Sequence, residues 1–259
     1  MKELLSLVGK TAIVTGGGSG LGRQMAHGLA EAGANLTLCA RKIERCEQTA
    51  AELGEMGTRA IAVRCDVRDR AEVDEVIRLT RAEFGAVDIL VNNAGTTWAA
   101  APEEVPPDGW QKVIDVNLTG AFQFAQAAGQ VMIEQRGGKI VNIASIAAFK
   151  GSPQDVMNAI PYNVSKGALV SLTHDLARRW GEYGINVNAI APGWFPSEMS
   201  RVVLDRGGER FLQTIPLNRF GGPDDLKGAV VFLASAASDY VTGQTIVVDG
   251  GLAADSRTP

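Results

Sequence analysis

Tyr162 and Lys166 stand four residues apart in a stretch of helical periodicity, and Ser145 lies 17 positions before Tyr162 at the end of a short apolar run. Residues four apart on a helix share a face, so the phenol and the ammonium are neighbours. A free phenol has a pKa of about 10, and a cation held beside it stabilises the phenolate and brings it toward the range useful for proton transfer. Ser145 would hydrogen-bond a carbonyl oxygen as charge develops there. Tyr-x-x-x-Lys is also common on ordinary helices, so the pair acquires meaning only from what accompanies it.

Upstream, Thr15-Gly16-Gly17-Gly18-Ser19-Gly20-Leu21-Gly22 follows the first apolar run and opens the first helical stretch. Free N–H groups and the positive dipole end at such a helix start can hold a pyrophosphate, and glycines let it approach the main chain. A tight strand-to-helix turn would use the same residues. The Lys-Ser/Thr ending of a nucleoside-triphosphate loop is absent. In a dinucleotide fold the second strand should end on a group that meets the adenosine ribose, acidic for NAD or cationic for NADP. That strand ends Leu38-Cys39-Ala40-Arg41-Lys42: Ala40 has no carboxylate to repel a 2′-phosphate, and the Arg41 fork suits one. NADP(H) is therefore the expected cofactor and NAD(H) the alternative; Arg41 and Lys42 would otherwise simply begin a solvated helix.

Short apolar runs alternating with amphipathic stretches are the pattern of a parallel sheet covered by helices on both faces. The expected fold is a seven-stranded parallel α/β sheet, a single domain over 1–259. Strands are predicted at 11–15, 35–40, 59–64, 89–92, 139–143, 186–190 and 245–248, and helices at 21–32, 43–55, 70–84, 108–135, 162–183 and 224–234. Gly57, Gly137 and Gly138 are expected to supply left-handed positions at helix exits. Residues 192–222 break the rhythm, with Trp194, Phe195, Met199, Phe211 and Phe220 among polar positions, and are read as a substrate lid or else a surface excursion.

Composition narrows the classes. With 25 Lys and Arg against 29 Asp and Glu and a net charge of −4, neither nucleic acid nor a membrane surface is an expected partner. Cys39, Cys46 and Cys65 are odd in number and irregularly spaced, which suggests neither disulfides nor a zinc site. No apolar run reaches 18 residues, and the N-terminal stretch lacks a signal-peptide pattern, so the cytoplasm is the expected location. His27 and His174 have no ligand partner at useful spacing, and no metal is expected.

Taken together, these motifs resemble the short-chain dehydrogenase/reductase family over essentially the full length. The glycine loop is Thr15 to Gly22, Asn-Asn-Ala-Gly is Asn92 to Gly95, and Tyr-x-x-x-Lys is Tyr162 to Lys166; Cys65-Asp66-Val67, Asn117, Pro192-Gly193 and Val248-Asp249-Gly250-Gly251 also match. The resemblance implies that Tyr162 is the acid in carbonyl reduction, that Lys166 lowers its pKa and binds the nicotinamide ribose, and that Ser145 orients the substrate oxygen. Asn117 would hold a water that relays protons to Lys166. The dinucleotide would meet Gly16, Gly18, Ser19, Gly20, Leu21 and Gly22, then Arg41, Asp66 and Val67, then Asn93, Ala94 and Gly95, and finally Pro192, Gly193 and the main chain near Phe195. The resemblance also implies a doubly wound, seven-stranded Rossmann fold and a homotetramer.

Ser145 and Tyr162 are 17 apart where the family usually has 13, so four extra residues lie within 146–161, and they are expected to wall the substrate pocket. Arg136 matches one carrier-docking arginine of the 3-oxoacyl reductases, but Tyr183 replaces the other. Trp98, Met157, Trp194, Phe195 and Met199 suggest an apolar pocket, whereas Arg201, Arg206, Arg210 and Arg219 would attract an anion. The leading expectation is an NADP(H)-dependent carbonyl reductase or alcohol dehydrogenase acting on a small-molecule ketone or alcohol, 3-oxoacyl-like or related. The alternatives are a gluconate 5-dehydrogenase-type sugar-acid dehydrogenase and, more remotely, a nucleotide-sensing binding protein without turnover.

Overall fold

The computed structural model describes residues 2–151, 157–198 and 200–254. Its elements run α1 (Lys2–Leu5), β1 (Thr11–Thr15), α2 (Gly20–Glu31), β2 (Asn35–Ala40), α3 (Ile43–Glu55), β3 (Ala60–Arg64), α4 (Arg70–Phe84), β4 (Ile89–Asn92), α5 (Pro107–Ile114), α6 (Gly120–Gln135), β5 (Gly138–Ile143), α7 (Ile160–Trp180), β6 (Ile185–Pro192), α8 (Arg201–Thr214), α9 (Lys227–Ala234) and β7 (Thr245–Val248).

The strands form one sheet of order β3-β2-β1-β4-β5-β6-β7, with every neighbouring pair parallel. The chain builds outward from β1 to β3, then crosses back to place β4 on the other side of β1. That reversal opens a crevice at the carboxyl edge between β1 and β4, where ligands of such sheets bind. Alternation along the strands sorts side chains to two cores. Ala12, Val14, Leu36 and Leu38 join Met25, Leu29, Val230 and Leu233 from α2 and α9 on one face. Ile13, Cys39, Leu90 and Val187 join Val73, Phe124, Met132 and Leu176 from α4, α6 and α7 on the other. Both faces being covered explains the near-continuous apolar strands.

Three features depart from the sequence expectation. The predicted helix over 108–135 is divided by a π-helical turn, Asp115–Thr119, between α5 and α6. The segment 192–222 contains a 14-residue helix, α8, bent where Gly207 leaves helical backbone (φ −145°). After α6 the left-handed position is taken by Arg136 (φ 57°), not Gly137 or Gly138. Gly138 already belongs to β5, and a Cβ there would overlap Met132, so its glycine serves close packing.

Candidate active site

The glycine loop turns from β1 into α2 with Gly16 at φ 65° and Gly20 at φ 50°, backbone that side chains rarely adopt. Gly16 N–H donates to the Cys39 carbonyl at 2.7 Å, which fastens the turn to β2. Thr15 is the hub on the other side. Its hydroxyl accepts from the amides of Asn93 and Ala94, each at 2.9 Å, and the Asn93 side-chain amide donates to the carbonyls of Thr15 and Gly16 at 2.9 and 3.3 Å. The turns after β1 and β4 are thus one hydrogen-bonded unit at the switch point.

The glycines divide by task. A Cβ at Gly18 would lie 2.7 Å from the main chain of Arg45 and Cys46, and one at Gly22 would overlap the Gly16 carbonyl oxygen. These two allow α3 and α2 to approach the loop. Gly20 looks instead into open space, with only the Ser197 Cβ at 3.7 Å from its Cβ position. Ser19, the N-cap of α2, makes no side-chain capping bond, and the amides of the first helical turn have no acceptor within the helix. Positive dipole end, unclaimed amides and an open glycine fit a pyrophosphate. At the end of β2, half-buried Ala40 and exposed Arg41 bring a cation and no carboxylate, which fits a 2′-phosphate. These are residues that would hold NADP(H).

Asp66 and Val67 follow β3 along the same edge. The Asp66 carboxylate is bound by Arg68 at 2.6 and 3.0 Å, and its amide donates to Glu72 at 2.6 Å, so its side chain is already engaged. The Val67 side chain is buried against Gly120. Gly95 lies between two of the expected catalytic residues: its Cβ position is 3.5 Å from Asn117 Oδ1 and 3.8 Å from Lys166 Nζ.

Asn117 sits in the π-helical turn, fully buried. Its Oδ1 accepts from Thr96 N–H at 2.7 Å, while its amide donates to the Thr96 carbonyl at 3.0 Å and to Ser165 Oγ at 2.9 Å. Ser165 in turn donates to the Tyr162 carbonyl at 2.7 Å. The asparagine side chain therefore ties the turn after β4 to the first turn of α7. One Oδ1 lone pair remains for a water.

Ser145 stands two residues beyond β5, with Oγ accepting from Ala147 N–H at 3.2 Å. Lys166 is 4% exposed, its ammonium donating to the Ile143 carbonyl at 2.6 Å and lying 5.5 Å from the Tyr162 ring centroid. Burial pushes this lysine down to about 8. Burial also raises the Tyr162 phenol above its ordinary value, and the neighbouring Ser145 hydroxyl works against that rise. Among the protein's own groups, burial and the Ser145 hydroxyl set the Tyr162 shift, while the Lys166 ammonium is committed to the Ile143 carbonyl. A phenol that keeps its proton at neutral pH suits an acid.

At the end of β6, Gly193 lies so close to Asp249 that a Cβ would come within 2.7 Å, and its N–H donates to the Val248 carbonyl at 2.9 Å. Pro192 ends the strand, buried. Phe195 is buried in the sheet core against Gly221, so only its main chain can face the crevice. Trp98 packs on Gly109 with Lys112 over its ring. Of the side chains expected to line an apolar pocket, these two are packing; Trp194 and Met157 are half-buried, and Met199 lies outside the described residues. So do 152–156 of the insertion. Its exit is fixed where the Asn158 carbonyl accepts from Ala100 N–H at 3.0 Å. Thr15 was legible as the first residue of the glycine motif but not as a hydrogen-bonding hub, whereas Thr96 and Ser165 escaped sequence reasoning; only the adjacency of Thr96 to Gly95 and the three-residue step from Tyr162 to Ser165 hint at them. Among the described residues no cluster of His, Cys, Asp or Glu could hold a metal ion.

A protein-family model described as enoyl-(acyl carrier protein) reductase matches residues 16–253. The 2-dehydro-3-deoxy-D-gluconate 5-dehydrogenase of Pseudoalteromonas atlantica is 40% identical over 255 residues, 97% of this chain and 98% of that one. The chain belongs to the short-chain dehydrogenase/reductase family. Another member, the 3-oxoacyl-[acyl-carrier-protein] reductase of Staphylococcus aureus, is 38% identical over 244 residues, 94% of this chain and 98% of its own. The crystal structure of a Burkholderia cenocepacia gluconate 5-dehydrogenase in complex with NADP and tartrate superposes with a TM-score of 0.92 at 40% identity, covering 98% of this chain and 99% of that one. This short-chain dehydrogenase/reductase is thus an oxidoreductase, and relatives of both expected kinds lie at similar distance.

Proposed function

We propose that the chain is an NADP(H)-dependent carbonyl reductase or alcohol dehydrogenase working on a small-molecule ketone or alcohol, as one unit over 1–259 with a lid at 192–222. The observation that carries this is the convergence at one sheet edge of a proton-retaining Tyr162, Ser145 and buried Lys166 with a helix start open to phosphate. NADPH, when bound, would supply the hydride for the carbonyl carbon. Tyr162 gives its proton to the carbonyl oxygen, and Ser145 donates a hydrogen bond that strengthens as charge develops there. Lys166 would hold the nicotinamide ribose, and Asn117, fixed through Thr96 and Ser165, would present the water that returns the proton. Gly95, Gly193 and the Phe195 main chain line the nicotinamide half, and Asp66 and Val67 the adenine half.

Arg41 carries the cofactor choice. Wild type is expected to favour NADPH over NADH, and Arg41→Ala to weaken NADPH by roughly 10- to 100-fold, the loss of a charge-assisted phosphate contact, while NADH changes little. Binding titrations with both cofactors check this; equal use by wild type contradicts it. The sugar-acid reading rests on the 40% identity to 2-dehydro-3-deoxy-D-gluconate and gluconate 5-dehydrogenases.

Assembly as a homotetramer is supported by exposed Trp110, Phe122, Ile160 and Val164 on α5, α6 and α7 and by exposed Tyr240 before β7 and Val247 within it. A cytoplasmic location agrees with three free, buried thiols. No described helix is long and apolar enough to cross a membrane.

A further inference from the structure

The register of β5 and β6 pairs Ile143 with Ile190, so Ser145 and Pro192 leave the sheet edge side by side, and the residues that follow them meet. Ile146, next to the catalytic serine, is buried in one cluster with Ile215 and Leu252, against which Trp194 and Phe220 pack. Trp194 is only half-buried. One face of its indole is stacked on Phe211 from α8, centroids 5.0 Å apart and planes inclined by 10°. Phe211 itself is 7% exposed, its ring edge 3.2 Å from the Cβ position of Gly207, where α8 bends. The stack thus couples the residue after Gly193 to the bent lid helix, and the surface it builds beside Ser145 is hydrocarbon.

Charge is arranged the opposite way. On α8 the flanking Arg201, Asp205, Glu209 and Arg210 are all exposed. Arg219 is tied to Asp225 at 2.9 Å. Among the described residues Lys166 is the one buried charged side chain, and its ammonium is engaged with Ile143. Lys150, five residues after Ser145, is exposed and donates to the Leu252 carbonyl at 3.3 Å. Against the described residues of this wall, Ile146, Trp194, Phe211, Ile215, Phe220 and Leu252, a carboxylate or polyol would give up water for hydrocarbon, which is unfavourable, whereas an apolar group gains.

We propose that Trp194, held in place by Phe211, is the specificity-determining residue of the substrate site and receives an apolar substituent, aryl or alkyl, on the carbonyl reduced at Ser145 and Tyr162. This rests on the carbonyl-reductase reading above and sharpens it, since it selects an apolar ketone over a keto sugar acid. Trp194 contacts substrate; Phe211 is a positioning residue that acts by fixing the indole plane.

The test compares kcat/KM with NADPH for 2-octanone and acetophenone against 5-dehydro-D-gluconate, with acetone as a small reference and NADPH binding followed by fluorescence. Wild type should prefer both apolar ketones by at least 100-fold over the keto acid. Trp194→Ala should lower kcat/KM for them about 10- to 50-fold, mainly through KM, with acetone within threefold and the NADPH Kd unchanged. Phe211→Ala should show the same selectivity loss in weaker form, and Phe211→Tyr should restore it. Preference of wild type for the keto acid, which needs no variant to fold, or an equal loss on all ketones in Trp194→Ala, overturns the subsite while leaving a reductase. Absence of both NADPH binding and ketone reduction in wild type overturns the reductase reading and the subsite with it.

Discussion

Arg45 in α3 and Glu198 beyond β6, 153 residues apart, form a two-pronged ion pair with both N–O distances 2.8 Å. Arg45 backs onto Gly18, and Ser197 approaches Gly20, so the pair lashes the start of the lid segment across the glycine loop. Arg45 keeps the Glu198 carboxyl below its usual range, with further help from Lys42 and Arg201.

Exposed pairs contribute little to global stability and weaken in salt, so the effect of breaking this one should be local. Glu198→Gln is expected to leave Tm within about a degree while speeding tryptic cleavage near Arg201 roughly threefold. Adding 0.5 M salt to wild type should have a similar effect. Limited proteolysis beside a thermal melt checks this; unchanged cleavage at both conditions contradicts it.

Lys166 makes a signed prediction about pH. Its folded pKa of about 8 lies below the unfolded value, so the unfolded chain binds more protons between the two. The cost of burying its charge is full below pH 8 and is relieved as pH rises. Lys166→Met should therefore stabilise the fold at pH 7 by about 1–3 kcal/mol, while abolishing turnover, and the gain should shrink toward pH 10. Urea titrations at pH 7 and 9.5 test it. A variant less stable at pH 7, or a gain that grows with pH, would be inconsistent with a buried ammonium.

The division of the glycines predicts separate phenotypes. A Cβ at Gly22 overlaps the Gly16 carbonyl, so Gly22→Ala should destabilise by about 1–3 kcal/mol through overpacking at a rigid turn. At Gly20 the space is open and only the backbone is strained, so Gly20→Ala should cost about 1 kcal/mol of stability yet impair NADPH binding more. Chemical denaturation and cofactor titration of both variants separate the two roles; a reversed order would refute the division.

The sheet was legible because its strands are short apolar runs at regular intervals, and β1, β2, β4 and β7 fall on their predicted bounds. The π-helical turn at Asp115–Thr119 was not, since periodicity averages over one inserted residue. Helix α8 was hidden by Gly207-Gly208 and by charges that break its apolar stripe, and it exists because Phe211 docks on Trp194 from elsewhere in the chain. Motif spacing pointed to Ser145, Tyr162 and Lys166, but not to what holds them. Thr96 and Ser165 matter through Asn117, a contact made only once β4 and α7 are packed. The sign of the Tyr162 shift was likewise hidden: spacing shows the ammonium nearby, whereas burial is a property of the assembled fold.

The central claim is that Tyr162 delivers the proton in an NADPH-dependent carbonyl reduction. The most direct measurement is single-turnover ketone reduction by Tyr162→Phe, with NADPH binding followed by fluorescence on the same sample. The expected rate is lower by about 10³-fold, with the NADPH Kd within about twofold of wild type. Reduction within tenfold of wild type, with binding intact, would contradict it.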